Sequence, residues 1–197
     1  KRQLLLLLFL LGVVFPLSAQ ESEVLISTSH TSLLLSTSQG GELKFLYYGR
    51  KLTDADVHAI VSTESGSFSA YPVYGLNCPS ESALSVQHED GNMTLQMEVI
   101  GVETTHQEKA NLTVISLKDK VYPFYVKLCY KAYQDVDVIE AWTEISHKEK
   151  KNVKLNQFAS AYLPVRKGNV WLSSLYGAWA NEARLVQELS LIHISEP

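Results

Sequence analysis

Cysteine is scarce in this 197-residue chain: there are two, Cys78 and Cys129, too few for a disulfide-stapled mini-scaffold or a four-ligand zinc module. Positive charge is sparse as well. Seventeen Lys and Arg face 21 Asp and Glu for a net charge of −4 at pH 7. Basic residues never run beyond a pair, which leaves no footprint for nucleic acid or an anionic membrane surface. No Gly-x-Ser-x-Gly elbow, Cys-x-x-Cys pair, Walker loop or Rossmann fingerprint occurs, so the familiar self-contained catalytic signatures are missing. A sustained i, i+3, i+4, i+7 apolar stripe is also missing, which argues against a helical fold. With 46% hydrophobic and 19% charged residues, the chain is nevertheless well suited to bury a sizeable core.

Both ends stand apart from that composition. Lys1 and Arg2 precede an apolar stretch from Leu4 to Leu17, and Leu17-Ser18-Ala19 offers the small residues a signal peptidase accepts. This pattern predicts a signal peptide over residues 1–19, cleaved after Ala19, and export to a periplasm or the exterior. The stretch is too short for the roughly 20 apolar residues of a membrane span, so no integral span is expected after cleavage. At the other end, residues 189–197 (Leu189-Ser190-Leu191-Ile192-His193-Ile194-Ser195-Glu196-Pro197) read like translated sequencing-adapter DNA. They are expected to be an artefact, with the natural gene continuing past Glu188. Without Lys1, Arg2 and Glu196, residues 20–188 carry 15 basic and 20 acidic residues.

Strand patterns fill those residues. Segments Val24–Thr28, Ser32–Thr37 and Leu43–Tyr48 form an expected meander joined at Ser29-His30 and Gly40-Gly41. Leu95, Met97 and Val99 share one face. Leu112–Leu117 is apolar on both faces, and Val126, Leu128, Tyr130 and Ala132 alternate with Lys127, Cys129, Lys131 and Tyr133. Val138–Ile145 sets Ile139, Ala141 and Ile145 against Glu140, Trp142 and Glu144, while Val153–Ala161 sets Val153, Leu155, Ala159 and Ala161 on one side. Turns are expected at Tyr48-Gly49-Arg50-Lys51 and Asp90-Gly91. One short helix fits Thr53–Ile60, with Thr53 as N-cap and Asp54 and Asp56 in its first turn. Many short strands with almost no helix predict an all-β fold: a single antiparallel two-sheet sandwich.

Few residues carry candidate chemistry. His88-Glu89-Asp90 has the composition of a metal or acid/base cluster, but neighbours on a strand point to opposite faces and Asp90-Gly91 suits a turn, so no metal site is expected. Asp135 and Asp137 fit a turn between strands. Glu140 and Glu144 fit a solvated face beside Trp142. Cys78 and Cys129 either close a disulfide or remain separate thiols. Asn92-Met93-Thr94 and Asn111-Leu112-Thr113 match the glycosylation sequon.

Several motifs in order resemble the N-terminal domain of glycoside hydrolase family 36 α-galactosidases. They are Tyr74-Gly75, Ala83-Leu84-Ser85-Val86, Asp90-Gly91, Tyr130, Asp135-Val136-Asp137-Val138-Ile139, Ala159-Ser160 and Gly177-Ala178-Trp179-Ala180-Asn181-Glu182. The resemblance implies an antiparallel β-supersandwich over residues 20–188, preceding a (β/α)₈ barrel that lies outside this chain. It also implies removal of terminal α-galactose with retention by two barrel carboxylates, no cofactor, galactosides as partners through the barrel, and a fragment that is noncatalytic by itself; homo-oligomerisation stays open. In that family the loop after Tyr-Gly carries an Asp and an Arg and approaches the sugar. Here Asn77 or Cys78 stands where the acid is expected and Ser80 where the Arg is expected, which makes Asn77 and Cys78 the candidate substrate-binding residues. Asn181 replaces the Arg of the Trp motif. The rival reading is a noncatalytic carbohydrate-binding sandwich with Trp142, Glu140 and Glu144 as a glycan platform.

Overall fold

The computed structural model describes residues 22–38, 40–63, 68–75, 81–164 and 171–189. They fall into two compact units, one ending at Leu163 and one beginning at Pro164. The first unit holds ten strands and one helix. Strands β1 (Ser22–Ser27), β2 (Thr31–Thr37), β3 (Leu43–Arg50) and β4 (Phe68–Ser69) make one antiparallel sheet in that order. Strands β6 (Met97–His106), β7 (Ala110–Asp119), β8 (Phe124–Tyr133) and β9 (Val138–His147) make a second antiparallel meander, and β5 (Leu84–Gln87) pairs with β10 (Lys154–Phe158) in a short ladder. The all-β sandwich expected from the strand periodicity is what the chain forms.

One continuous core joins the sheets. Val24, Ile26, Leu33, Leu35, Leu43 and Phe45 of the first meander meet Ile115, Leu117, Phe124, Val126, Leu128, Tyr130 and Ala132 of the second, with Leu84 and Val86 closing the side. Alternation explains the choice of face: Val126, Leu128, Tyr130 and Ala132 are all buried, as period-two burial requires. The first sheet is covered on its other face as well. Leu34, Leu46 and Val57 form a second small core, which is why β2 runs Leu33-Leu34-Leu35 without a wet side. Leu46 is the extra residue of a bulge opposite Leu34 and Leu35.

The covering element is α1 (Asp54–Ser62). Thr53 caps it, with the Thr53 side chain accepting from Asp56 N at 3.3 Å and Asp56 Oδ2 accepting from Thr53 N at 2.9 Å, a reciprocal capping box. That bonding also holds the Asp56 carboxyl below its usual range. Among the described residues no helix is long and apolar enough to cross a membrane.

Two turn expectations divide. Asp90-Gly91 is a turn, with Gly91 at φ +85°. Tyr48-Gly49-Arg50-Lys51 is not: β3 continues to Arg50, and Gly49 sits opposite Ser32. Its glycine answers a packing need, because a β-carbon there would lie 2.7 Å from the Tyr47 hydroxyl, which donates to Arg50 O at 3.0 Å.

The second unit contains one hairpin, β11 (Trp171–Ala178) with β12 (Asn181–Leu189). Ala178 pairs with Asn181, so Trp179 and Ala180 form its two-residue turn and Ala180 adopts φ +60°. The motif Gly177-Ala178-Trp179-Ala180-Asn181-Glu182 is thus a hairpin tip.

Candidate functional site

The candidate residues Asn77 and Cys78 lie outside the described residues, in the interval 76–80. The frame on either side of that interval is well defined. Tyr74 N donates to Leu84 O at 3.0 Å, Leu95 N donates to Tyr74 O at 3.1 Å, and Ala83 N donates to Pro72 O at 2.7 Å. Val73 and Leu84 form a parallel bridge. Gly75 closes one side at φ +98°, and a β-carbon there would fall 2.7 Å from Thr94 Cα, so only glycine fits. The other side begins at Glu81, whose Oε1 accepts from Gln157 Nε2 at 3.3 Å.

Behind this frame lie two buried phenols, Tyr71 from the segment after β4 and Tyr130 from β8. Tyr71 donates to Ala159 O at 2.8 Å, and burial raises its pKa. Tyr130 is pushed up to about 12 by burial, with further contributions from Tyr71 and Cys129; both phenols are therefore neutral packing groups at ordinary pH. Thr143 Oγ1 donates to Ser160 O at 2.8 Å and ties β9 to the segment after β10. The residues flanking the interval thus form a short hydrogen-bonded base that carries the half-exposed side chains of Tyr74 and Phe158. The Asn77 amide and the Cys78 thiol have the chemistry to bond hydroxyl groups.

The alternative platform has a different geometry. Glu140, Trp142 and Glu144 do share the outer face of β9, as alternation requires. Trp142 stands directly opposite Cys129, its indole Nε1 donates to Glu144 Oε1 at 3.3 Å, and the ring is only partly exposed. Cys129 is a buried free thiol with 2% exposure despite lying on the same face as Lys127 and Lys131. Burial raises its pKa, with the Glu144 charge adding to the effect. The aromatic and charged groups here are partnered with each other: Tyr133 Oη donates to Glu140 Oε2 at 2.9 Å, and Lys131 Nζ lies 4.9 Å from the Tyr133 ring centre.

Asp137 sits in the β8–β9 turn at φ +52°. Its carboxylate accepts from Thr28 Oγ1, from His30 N at 3.3 Å and from Thr31 Oγ1 at 3.3 Å. It therefore pins a hairpin turn of the first sheet to one of the second. The Thr28 hydroxyl is the chief reason its pKa is lowered. Asp135 lies in the same turn.

His88 immediately precedes the Asp90-Gly91 turn. Its side chain is fully buried, with Nδ1 2.9 Å from Glu149 Oε1, a contact across 61 residues that no local pattern encodes. Glu89 instead pairs with Lys151, and Asp90 accepts from Tyr122 Oη at 2.7 Å. Adjacent residues of this triplet thus serve three different partners. Among the described residues no group of three or more His, Cys, Asp or Glu side chains is placed to hold a metal ion.

Residues 41–191 match the family model of the glycosyl hydrolase family 36 N-terminal domain. This chain belongs to that family. Among solved structures, a variant of the family 36 α-galactosidase AgaA of Geobacillus stearothermophilus bound to 1-deoxygalactonojirimycin superposes with a TM-score of 0.75 at 20% identity, over 86% of this chain and 28% of that one. Another AgaA variant, in complex with raffinose, gives 0.74 at 19% identity over the same shares, 86% and 28%. The α-galactosidase of Lactobacillus brevis gives 0.75 at 18% identity, over 89% of this chain and 28% of that one. At these identities the likeness is one of fold, and the family 36 chain spans 28% of the length of these structures. No curated protein sequence matches it.

Proposed function

We propose that this family 36 domain is the front of an exported enzyme that removes terminal α-galactose from raffinose-type or galactomannan side-chain sugars with retention. The catalytic carboxylates would lie in a barrel beyond this chain, and the domain itself would be noncatalytic. The observation that carries the reading is the family 36 N-terminal-domain match across residues 41–191, combined with a fold shared with 28% of the length of much longer α-galactosidases.

Local chemistry supports a supporting role for the domain. Retention needs two carboxyl groups about 5–5.5 Å apart flanking the scissile bond, whereas among the described residues flanking interval 76–80 Glu81 is already engaged by Gln157. In this reading Asn77 and Cys78 contribute hydrogen bonds at the rim of the sugar site, from a base held rigid by Gly75 and the Tyr74–Leu84 ladder. The test uses the protein encoded by the complete gene, with raffinose as substrate and the released galactose followed by proton NMR. Expected is α-galactose as the first-formed anomer, and a raised KM with little change in kcat for Asn77→Ala or Cys78→Ala. First-formed β-galactose would remove the retaining mechanism, and an unchanged KM in both variants would remove the rim role.

A further inference from the structure

We propose that His88 is a proton-controlled latch that fastens three connections at one end of the sandwich. The β5–β6 turn brings His88, Glu89 and Asp90; the β7–β8 connection brings Asp119, Tyr122 and Phe124; the β9–β10 connection brings His147, Lys148, Glu149 and Lys151. His88 stacks on Tyr122 with ring centres 3.6 Å apart and planes 8° from parallel, and meets Phe124 edge-on at 6.0 Å. Its side chain has 0% exposure and that of Glu149 has 8%. Of the other charges, Asp90 takes the Tyr122 hydroxyl and also lies within electrostatic reach of the His88 ring, Glu89 takes Lys151, Lys148 lies over Tyr125, and Asp119 takes backbone amides.

Among the described residues the imidazole therefore meets one hydrogen-bond acceptor, the Glu149 carboxylate at Nδ1, while Nε2 is buried with no hydrogen-bond partner among them. That arrangement suits the neutral ring with its hydrogen on Nδ1, because a bare lone pair then occupies the unpartnered side. A second proton places a new N–H donor where no described residue offers an acceptor. It can be satisfied only by water, and water reaches it only if the turn leaves the Tyr122 stack.

The test is ring-nitrogen NMR and amide exchange on the chain. Expected is a protonated Nδ1 and a bare Nε2 at about pH 7.5, the upper part of the range in which histidine titrates. On lowering the pH to about 5, exchange of Gly91 N–H and Lys148 N–H, corrected for intrinsic rates, should rise about tenfold relative to Ile115, equivalent to one unit of proton linkage. These two amides donate to His88 O at 2.9 Å and Pro123 O at 2.8 Å and so report the latch. His88→Phe should abolish the selective rise. Should that variant not fold, Glu149→Gln keeps an oxygen acceptor but removes the charge that attracts the second proton, so release must move to lower pH. Two protonated ring nitrogens at pH 7.5, or exchange that rises equally across all strands, would overturn the proposal.

Discussion

Asp119 ends β7 with 1% exposure, and its carboxylate is the acceptor for three backbone amides: Gln96 N at 2.6 Å, Val121 N at 2.8 Å and Tyr122 N at 2.8 Å. It thereby fixes the β7–β8 connection and the entry to β6 with one side chain. Asp119→Ala leaves three donors without that acceptor, and a buried unsatisfied donor costs about 1–3 kcal/mol. Val121 is largely exposed, so water replaces part of the bonding on that side, and the lower end of the range applies to two of the three. The expected total is about 3–5 kcal/mol, a large share of the roughly 5–15 kcal/mol of a typical domain. With a urea m-value of about 2 kcal/mol per molar, the midpoint should fall by about 1.5–2.5 M. Asp119→Asn retains one oxygen for Val121 and Tyr122 but turns an NH₂ toward Gln96 N, so its loss should be about half as large. Equilibrium urea unfolding followed by fluorescence reads both variants. A midpoint for Asp119→Ala within about 0.5 M of the parent chain would refute the reasoning.

Three further outcomes follow from the geometry. Gly75→Ala combines φ +98° with a β-carbon 2.7 Å from Thr94 Cα and should cost about 2–4 kcal/mol by urea unfolding, the sum of left-handed strain and a backbone clash. Thr53→Ala removes the acceptor of the α1 capping box and should cost about 1 kcal/mol, read as a lowered thermal midpoint. Asp137 has a lowered folded pKa: the stabilisation it confers is complete above its unfolded value, about 3.9, and disappears as the pH falls through the folded value. Asp137→Asn, which tolerates the same positive φ, should therefore be less stable than the parent chain at pH 6, with the gap closing as the pH falls through the lowered folded pKa; a gap independent of pH would contradict the carboxylate's role.

The sandwich was readable wherever burial follows a strict period of two. Val126, Leu128, Tyr130 and Ala132 alternated with polar residues in the sequence and are buried in the fold, and the Thr53 cap was visible because capping is chemistry local to four residues. Readability ended where the period breaks. In β10 the register shifts between Leu155 and Gln157, and Leu155 is exposed while Val153 and Ala159 pack against the core, so the single apolar face expected for Val153–Ala161 does not form. In β3, Gly49 read as a turn residue because a sequence shows a missing side chain but not the Tyr47 hydroxyl that needs the space. β5 is four residues long, below the length at which alternation is distinctive.

Long-range partners were hidden for a different reason. His88 with Glu149 and Thr28 with Asp137 are separated by 61 and 109 residues, and their pairing arises only when turns from different strands converge. The outer face of the second meander likewise looked uniformly wet from its Lys and Glu residues. Cys129 is nevertheless buried there, because Trp142 stands opposite it across the strands. The candidate loop was located by its flanking motif Tyr74-Gly75, and the structure gives that motif a physical reason in the close approach of Thr94.

The family 36 reading is tested most directly by assaying this 197-residue chain beside the complete gene product on p-nitrophenyl α-galactoside. The prediction is hydrolysis by the complete protein and none by the chain at equal molar concentration. Hydrolysis by the chain alone, or a complete protein inert toward α-galactosides, would contradict it.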